Sequence, residues 1–449
     1  MRLGRSIAFL SAAIAAVVSV QIFIRATAPP GLFHPDPQNI SNRLYRQLHV
    51  RTEAGGREYG FDALDPLLWR ETNYLLTGKS RVRTLDLADQ FLRSNAERQI
   101  ADPMKRAILQ RDVWAVFQWA DQPDLPHQAE RRKLMARLAQ LVRRLALSPD
   151  ELAHLPDTYA LALQNHEFPA IPSPIHHNEA FLPPDLFDPS GPWVCLGAPN
   201  PDLAAPLHDL SFTARSVFLV FARLPEGRAA TLAYFKQLAD TKLPLFVQMQ
   251  EPGWPHAMEV WSPQIPQFPL GTEFVLVRKM VLPDREGHLH LTPVTESVQI
   301  RIYTDIPKVS PMASRDVALA QRFQEPSEIV LSRVLLFSGH SSGLRGVTAT
   351  DDPFLIFPAM SQGVDAFENK DMGEKAGSPF VACTSCHLGP GIQSMMSFSF
   401  RGNPNEGPVF SPRLAETTPR QESERVLEWA QTQKKCTDLL RLWASETPH

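Results

Sequence analysis

Apolar positions along this chain change their spacing twice, and the changes divide it into three parts. From about residue 35 to residue 166 the spacing is helical. Leu134, Leu138, Leu141, Val142 and Leu145 recur among Arg132, Lys133, Arg137, Arg143 and Arg144, which gives one apolar stripe with a basic face opposite. Ile108, Leu109, Val113, Trp114, Val116 and Phe117 mark a second helix. Ser148-Pro149-Asp150-Glu151 supplies an N-cap serine, a proline at the first helical position and early acids, so a further helix starts there. Four to six short helices are expected in this part. Between 167 and 206 prolines at 169, 172, 174, 183, 184, 189, 192, 199 and 201 forbid long helices, and a linker or draped loop follows.

Beyond residue 207 the pattern becomes that of strands. The nearly continuous apolar run 216–224 and the segments 274–282, 288–291, 297–303 and 328–337 predict a mainly antiparallel sheet or sandwich, with one helix near 229–239. Asp284-Arg285-Glu286-Gly287 reads as a hairpin turn. Near the end, Thr418-Pro419-Arg420-Gln421 opens a helix whose Val426, Trp429, Cys436, Leu440 and Trp443 share one face, fit to pack on a core or a cofactor edge. The fold class read from this is α+β multidomain: a helical region at 31–166, a Pro-rich linker at 167–206, an antiparallel β-rich domain at 207–350 and a small mainly α C-terminal unit at 351–449.

Residues 1–30 form a separate element. The run 7–24 is apolar apart from Ser11, Ser19 and Gln21 and follows Arg2 and Arg5, the pattern of a signal sequence or a membrane anchor. The cleavage candidate Ala26-Thr27-Ala28 is followed by Pro29, which favours an uncleaved anchor. The arginines ahead of it put the remaining chain outside the cytoplasm, on the periplasmic side of the inner membrane. The membrane is thus one expected partner. A net charge of −3 carries no message about nucleic acid, and with no basic stripe among aromatics no nucleic-acid partner is expected.

Composition adds little until the four cysteines are placed. Cys383-Thr384-Ser385-Cys386-His387 is a C-x-x-C-H run, the attachment signature of c-type haem. Two thiols on one turn add across the vinyl groups of one porphyrin, and the adjacent imidazole binds its iron. Shuffling a chain of this composition would produce the run on the order of once in a thousand trials, so chance explains it poorly. Two other readings stay open: a Cys383–Cys386 disulfide, and a zinc site completed by Cys195 or Cys436, for which no second paired motif exists.

Other candidate chemistry is weaker. Gly339-His340-Ser341-Ser342-Gly343 matches the G-x-S-x-G nucleophile elbow with Ser341 as nucleophile, but Leu344-Arg345-Gly346-Val347-Thr348 is a poor helix opening, and a glycine-rich turn is the better reading. His288 and His290 share a strand face without a visible third metal ligand. No catalytic residue is assigned.

The segment Phe380-Val381-Ala382-Cys383-Thr384-Ser385-Cys386-His387, followed by Gly389-Pro390 and a closing helix, resembles the cytochrome c family over about a fifth of the chain. The resemblance implies a cytochrome c-like haem unit holding one covalent haem c, with Cys383 and Cys386 as tethers and His387 as iron ligand. It also implies one-electron transfer, with a redox protein as a possible partner. The chain departs from the family where a methionine usually follows as sixth ligand, because no methionine occurs after Met396. Met395 and Met396 are the nearest substitutes, reaching around the ring only if nearly extended. Met372 is the alternative, with Met360 and His340 more remote. An open iron position would suit a haem enzyme or a gas or peroxide sensor. A haem-free scaffold with a disulfide is the third reading.

Overall fold

The computed structural model describes residues 31–52, 58–62, 64, 74–122, 127–174, 178–199, 202–250, 256–306, 323–339, 341–348, 351, 387, 390–395, 409–410 and 413–444. Helices and a large antiparallel sheet are both present, so the protein is mixed α+β. The run 7–24 lies outside the described residues. Among the described residues no helix is long and apolar enough to cross a membrane, so the transmembrane expectation finds no support there.

Among the described residues six α-helices precede the sheet: α1 Ile40–His49, α2 Gly78–Arg93, α3 Pro103–Ala120, α4 Gln128–Leu145, α5 Pro149–Ala153 and α6 Thr158–Gln164. Each start has a chemical cause. Asp102 caps α3 ahead of Pro103, Asp157 caps α6 through two backbone N–H groups, and Ser148 and Glu151 form a reciprocal capping box on α5. α2, α3 and α4, at 16, 18 and 18 residues, are longer than the expected short helices, while α1, α5 and α6 are short as expected.

Seven strands form one sheet rather than a sandwich: β1 Val194–Gly197, β2 Ser216–Arg223, β3 Glu273–Pro283, β4 Leu289–Tyr303, β5 Gln324–Leu331, β6 Leu344–Gly346 and β7 Ala415–Glu416. Their order is β6-β5-β4-β3-β2-β1-β7, with every pair antiparallel. β1 lies within the expected linker, since Trp193-Val194-Cys195-Leu196 is a short apolar run between prolines. β4 fuses two expected strands into one of 15 residues. The Asp284 turn forms as expected, with Gly287 at φ +92°. Residues 333–338 make a short helix instead of extending β5, with Ser332 as its cap.

Both faces of the sheet are covered, which explains the unbroken apolar run in β2. Val217, Leu219 and Phe221 point to the core shared with α1–α6, while Phe218, Val220 and Ala222 point to a second core on the other face. The second core includes α8 Arg228–Ala239 with Tyr234, Phe235 and Leu238, together with Phe268, Ile392 and Leu414. α7 Pro206–Ser211 also packs on β2. The C-terminal face predicted as one helix is split at Gln433 into α9 Pro419–Thr432 and α10 Lys434–Ala444. Val426, Cys436 and Trp443 enter the helical-face core, and Arg143 of α4 donates to the Trp443 carbonyl at 3.0 Å. That face packs on the N-terminal helices and not beside His387.

Two buried ion pairs tie the helical layer to the sheet and its flanking helix. Arg111 of α3 donates to Glu296 of β4 at 2.6 Å, with both side chains fully buried, and Arg278 of β3 reaches the other Glu296 oxygen at 2.8 Å. Arg333 forks onto Asp112 of α3 and stacks over the Tyr45 ring.

Candidate functional site

His387 and the segment 390–395 sit on the sheet face opposite the helical layer. Gly391–Ser394 forms a single 3-10 turn, and three groups hold it. Gln267 donates to the Pro390 carbonyl at 3.2 Å, accepts from the Ile392 N–H at 2.9 Å and bonds Gln393. Gly391 adopts φ +53°, and a β-carbon there would displace the Gln267 side chain that holds the turn, so glycine is favoured. Ile392 is fully buried in the second core. Tyr303, at the end of β4, bonds the Ser394 hydroxyl and donates to the Met395 sulfur at 3.4 Å.

The turn then meets the imidazole. His387 Nδ1 lies 2.7 Å from the Ser394 carbonyl oxygen. A carbonyl only accepts, so the proton sits on Nδ1 and Nε2 keeps its lone pair. Gln324 of β5 fixes the backbone by donating to the His387 carbonyl at 2.7 Å. The other end of Gln324 accepts from Arg301 of β4 at 2.8 Å.

Electrostatics keep the ring neutral. Burial lowers the His387 pKa well below 6.5, Arg301 and His208 lower it further, and the Ser394 carbonyl opposes them weakly. His208, on α7 with its ring 5.2 Å from that of Phe218, is lowered to about 4 by burial, then by Arg301 and Arg278. Two neutral imidazoles and two buried guanidiniums therefore share this face. An apolar cleft of about 520 Å³ opens beside the turn, lined in part by Trp261, Phe268, Ile306 and Pro390. Its size falls in the range of small-ligand sites.

The remaining sequence candidates are distributed as follows. Cys383, Cys386, Met396, Met372, Met360 and His340 lie outside the described residues. Cys195 and Cys436 are buried thiols in the helical-face core, with burial pushing them up to about 12 and about 11. Neither shares a face with His387, so neither can complete a zinc site there. His290 bonds Asp284 at 2.7 Å, with His288 more loosely beside the same carboxylate, so the pair closes the hairpin turn. Among the described residues no group of three or more His, Cys, Asp or Glu can hold a metal ion, so the expected metal-binding character finds no side-chain cluster to support it.

Ser341 is no nucleophile elbow. It follows the short helix Arg333–Ser338 and leads into a strand, the reverse of the required order, and its hydroxyl accepts from the Gly343 N–H at 3.2 Å. Its neighbour Ser342 takes the carboxylate instead, from Glu167. Arg301, Gln324, Gln267, Tyr303 and His208 escaped sequence reasoning because they belong to no motif. Only the strand register brings Gln324 opposite Tyr303. No family model, curated protein or solved structure matches this chain, so its own residues carry the functional argument.

Proposed function

We propose that this chain is an extracytoplasmic c-type haem protein that carries one electron at a time, with haem tethered to Cys383 and Cys386 and held through His387. The observation that supports this most is the 2.7 Å contact between His387 Nδ1 and the Ser394 carbonyl. A histidine that binds iron through Nε2 needs its other nitrogen protonated and anchored, because that bond fixes the tautomer, the ring orientation and the basicity of the ligand. The depressed pKa adds to the fit, since only the neutral ring can donate a lone pair. A porphyrin iron takes a single protein nitrogen at this position, so it needs no three-residue cluster. When bound, the haem supplies a reversible ferrous–ferric couple.

Each of the chain's own groups then has a task. Ser394 orients the imidazole, Tyr303 and Gln267 hold the turn that carries Ser394, and Gln324 fixes the His387 backbone to β5. Met395 fits a supporting role better than that of sixth ligand. It adjoins Ser394, on the Nδ1 side of the ring, and its sulfur already accepts from Tyr303. This observation favours a second reading in which the sixth iron position is open or filled from elsewhere.

The test is production in a host that matures c-type cytochromes. Intact mass and a pyridine haemochrome spectrum are expected to show one covalent haem, lost when Cys383 and Cys386 are both replaced by serine. A colourless wild type of unmodified mass would leave the haem-free scaffold standing. Carbon monoxide binding to the reduced protein separates the two haem readings: rapid binding means an open site, and resistance means a sixth ligand.

A further inference from the structure

We propose that Arg301 holds a carboxylate of the bound cofactor, one of the two propionates that a haem carries; this rests on the haem reading above. The starting point is a charge without a counter-ion. Arg301 is only 6% exposed, and among the described residues its guanidinium makes one hydrogen bond, to the neutral amide oxygen of Gln324 at 2.8 Å. Among the described residues no carboxylate pairs with it. Its cross-strand neighbours are Phe274 on β3 and Pro326 on β5. Glu328, two residues farther along β5, accepts instead from Gln299 at 3.1 Å.

Such an arrangement is costly on its own. An unpaired buried cation forfeits several kcal/mol of hydration, and proteins normally return this with an anion. The same molecule does so for Arg111 and Arg278, which share Glu296, and for Arg333, which takes Asp112, whereas Arg215, equally buried, donates to the Gln118 amide. The titratable side chains closest in effect to Arg301 are His387, His208 and Tyr303, none of which supplies a negative charge at neutral pH. Arginine has five donors in a planar fork, and Gln324 uses one. The missing partner is therefore a planar anion able to take two parallel bonds, which describes a carboxylate.

Position selects the source of that carboxylate. Gln324 joins Arg301 to the His387 carbonyl, so the free donors and the candidate iron ligand are fixed to each other through one side chain. A haem bound at His387 brings its carboxylates with it. A separate small carboxylate or phosphate would satisfy the same fork, and the experiment distinguishes the two.

Haem-loaded wild type, Arg301→Met and Arg301→Lys are compared by potentiometric titration and by resonance Raman spectra of the propionate bending mode. Arg301→Met removes a cation that disfavours the ferric state, so at a fixed potential the reduced-to-oxidised ratio is expected to fall about tenfold, or 59 mV for one electron. Arg301→Lys keeps the charge and therefore most of the potential. Both variants are expected to shift the propionate mode, because neither retains the fork. A potential that falls while the propionate mode stays unmoved in both variants would overturn the proposal, leaving Arg301 as a nearby charge or as the site of a separate anion. If Arg301→Met does not fold, the propionate mode of Arg301→Lys decides alone. Wild type without covalent haem fails at the earlier step and removes the haem reading itself.

Discussion

The two faces of the central sheet treat buried charge differently. On the helical face Arg111 meets Glu296 and Arg333 meets Asp112, each across an element boundary and each at hydrogen-bonding distance. On the opposite face Arg301 meets a glutamine amide, and two imidazoles nearby stay neutral. Arg111 and Arg333 thus find their anions within the chain, although Arg215, also buried against α3, donates to the Gln118 amide oxygen at 2.6 Å. On the second face Arg278 reaches Glu296, while Arg301 has no carboxylate among the described residues, and the proposed haem carboxylate would supply one.

Removing an acid from the helical face should have the largest effect. Glu296→Ala strands Arg111 and Arg278 in the interior, and the expected loss is about 3–5 kcal/mol in chemical denaturation. Arg301→Met is the matched change on the other face. In protein produced without haem attachment it should cost less than about 1 kcal/mol, or stabilise, because it removes a charge that had no partner. Equal losses for the two variants would erase the contrast. A smaller effect tests whether the faces are energetically separable: Ser148→Ala breaks the capping box of α5 and should cost about 1 kcal/mol while leaving the carbon monoxide behaviour and the potential of the loaded protein unchanged.

Much of the helical face was legible in the sequence because its signals are local. The stripe from Leu134 to Leu145, the Ser148 box and the Thr418 box are each complete within a few turns of chain, and each formed. The strands of the sheet were legible too, apart from β1, which is short and hidden among prolines. The candidate site was legible only at His387. Its supports come from three distant places, Gln267, Tyr303 and Gln324, and from Ser394 seven residues on, joined by register and hydrogen bonds that leave no periodic trace. The split of the C-terminal helix at Gln433 escaped for a related reason. Residues on either side share one apolar spacing, and only packing against α4 and the sheet shows two helices at work.

The finest test reads the second face through His208. Its pKa of about 4 has burial as its first cause, then Arg301, then Arg278. An unfolded histidine titrates near 6.5, so the fold prefers the neutral ring, and this contribution to stability is full above about pH 6.5 and is lost as pH falls toward 4. Global unfolding curves will blur the effect, because the adjacent Asp209 has a pKa raised by burial and beside Glu422, and so contributes in the opposite sense as pH rises above 3.8. Site-resolved NMR of the imidazole removes the ambiguity. His208 should remain neutral at pH 5.5 in the wild type, and Arg301→Met should raise its pKa by removing a nearby cation. A haem carboxylate laid against Arg301 neutralises the same charge without any mutation, so haem loading should move His208 in the same direction. A folded protein in which His208 titrates near 6.5 before either change would mean that water already screens this face, and the contrast between the two sides of the sheet would lose its cause.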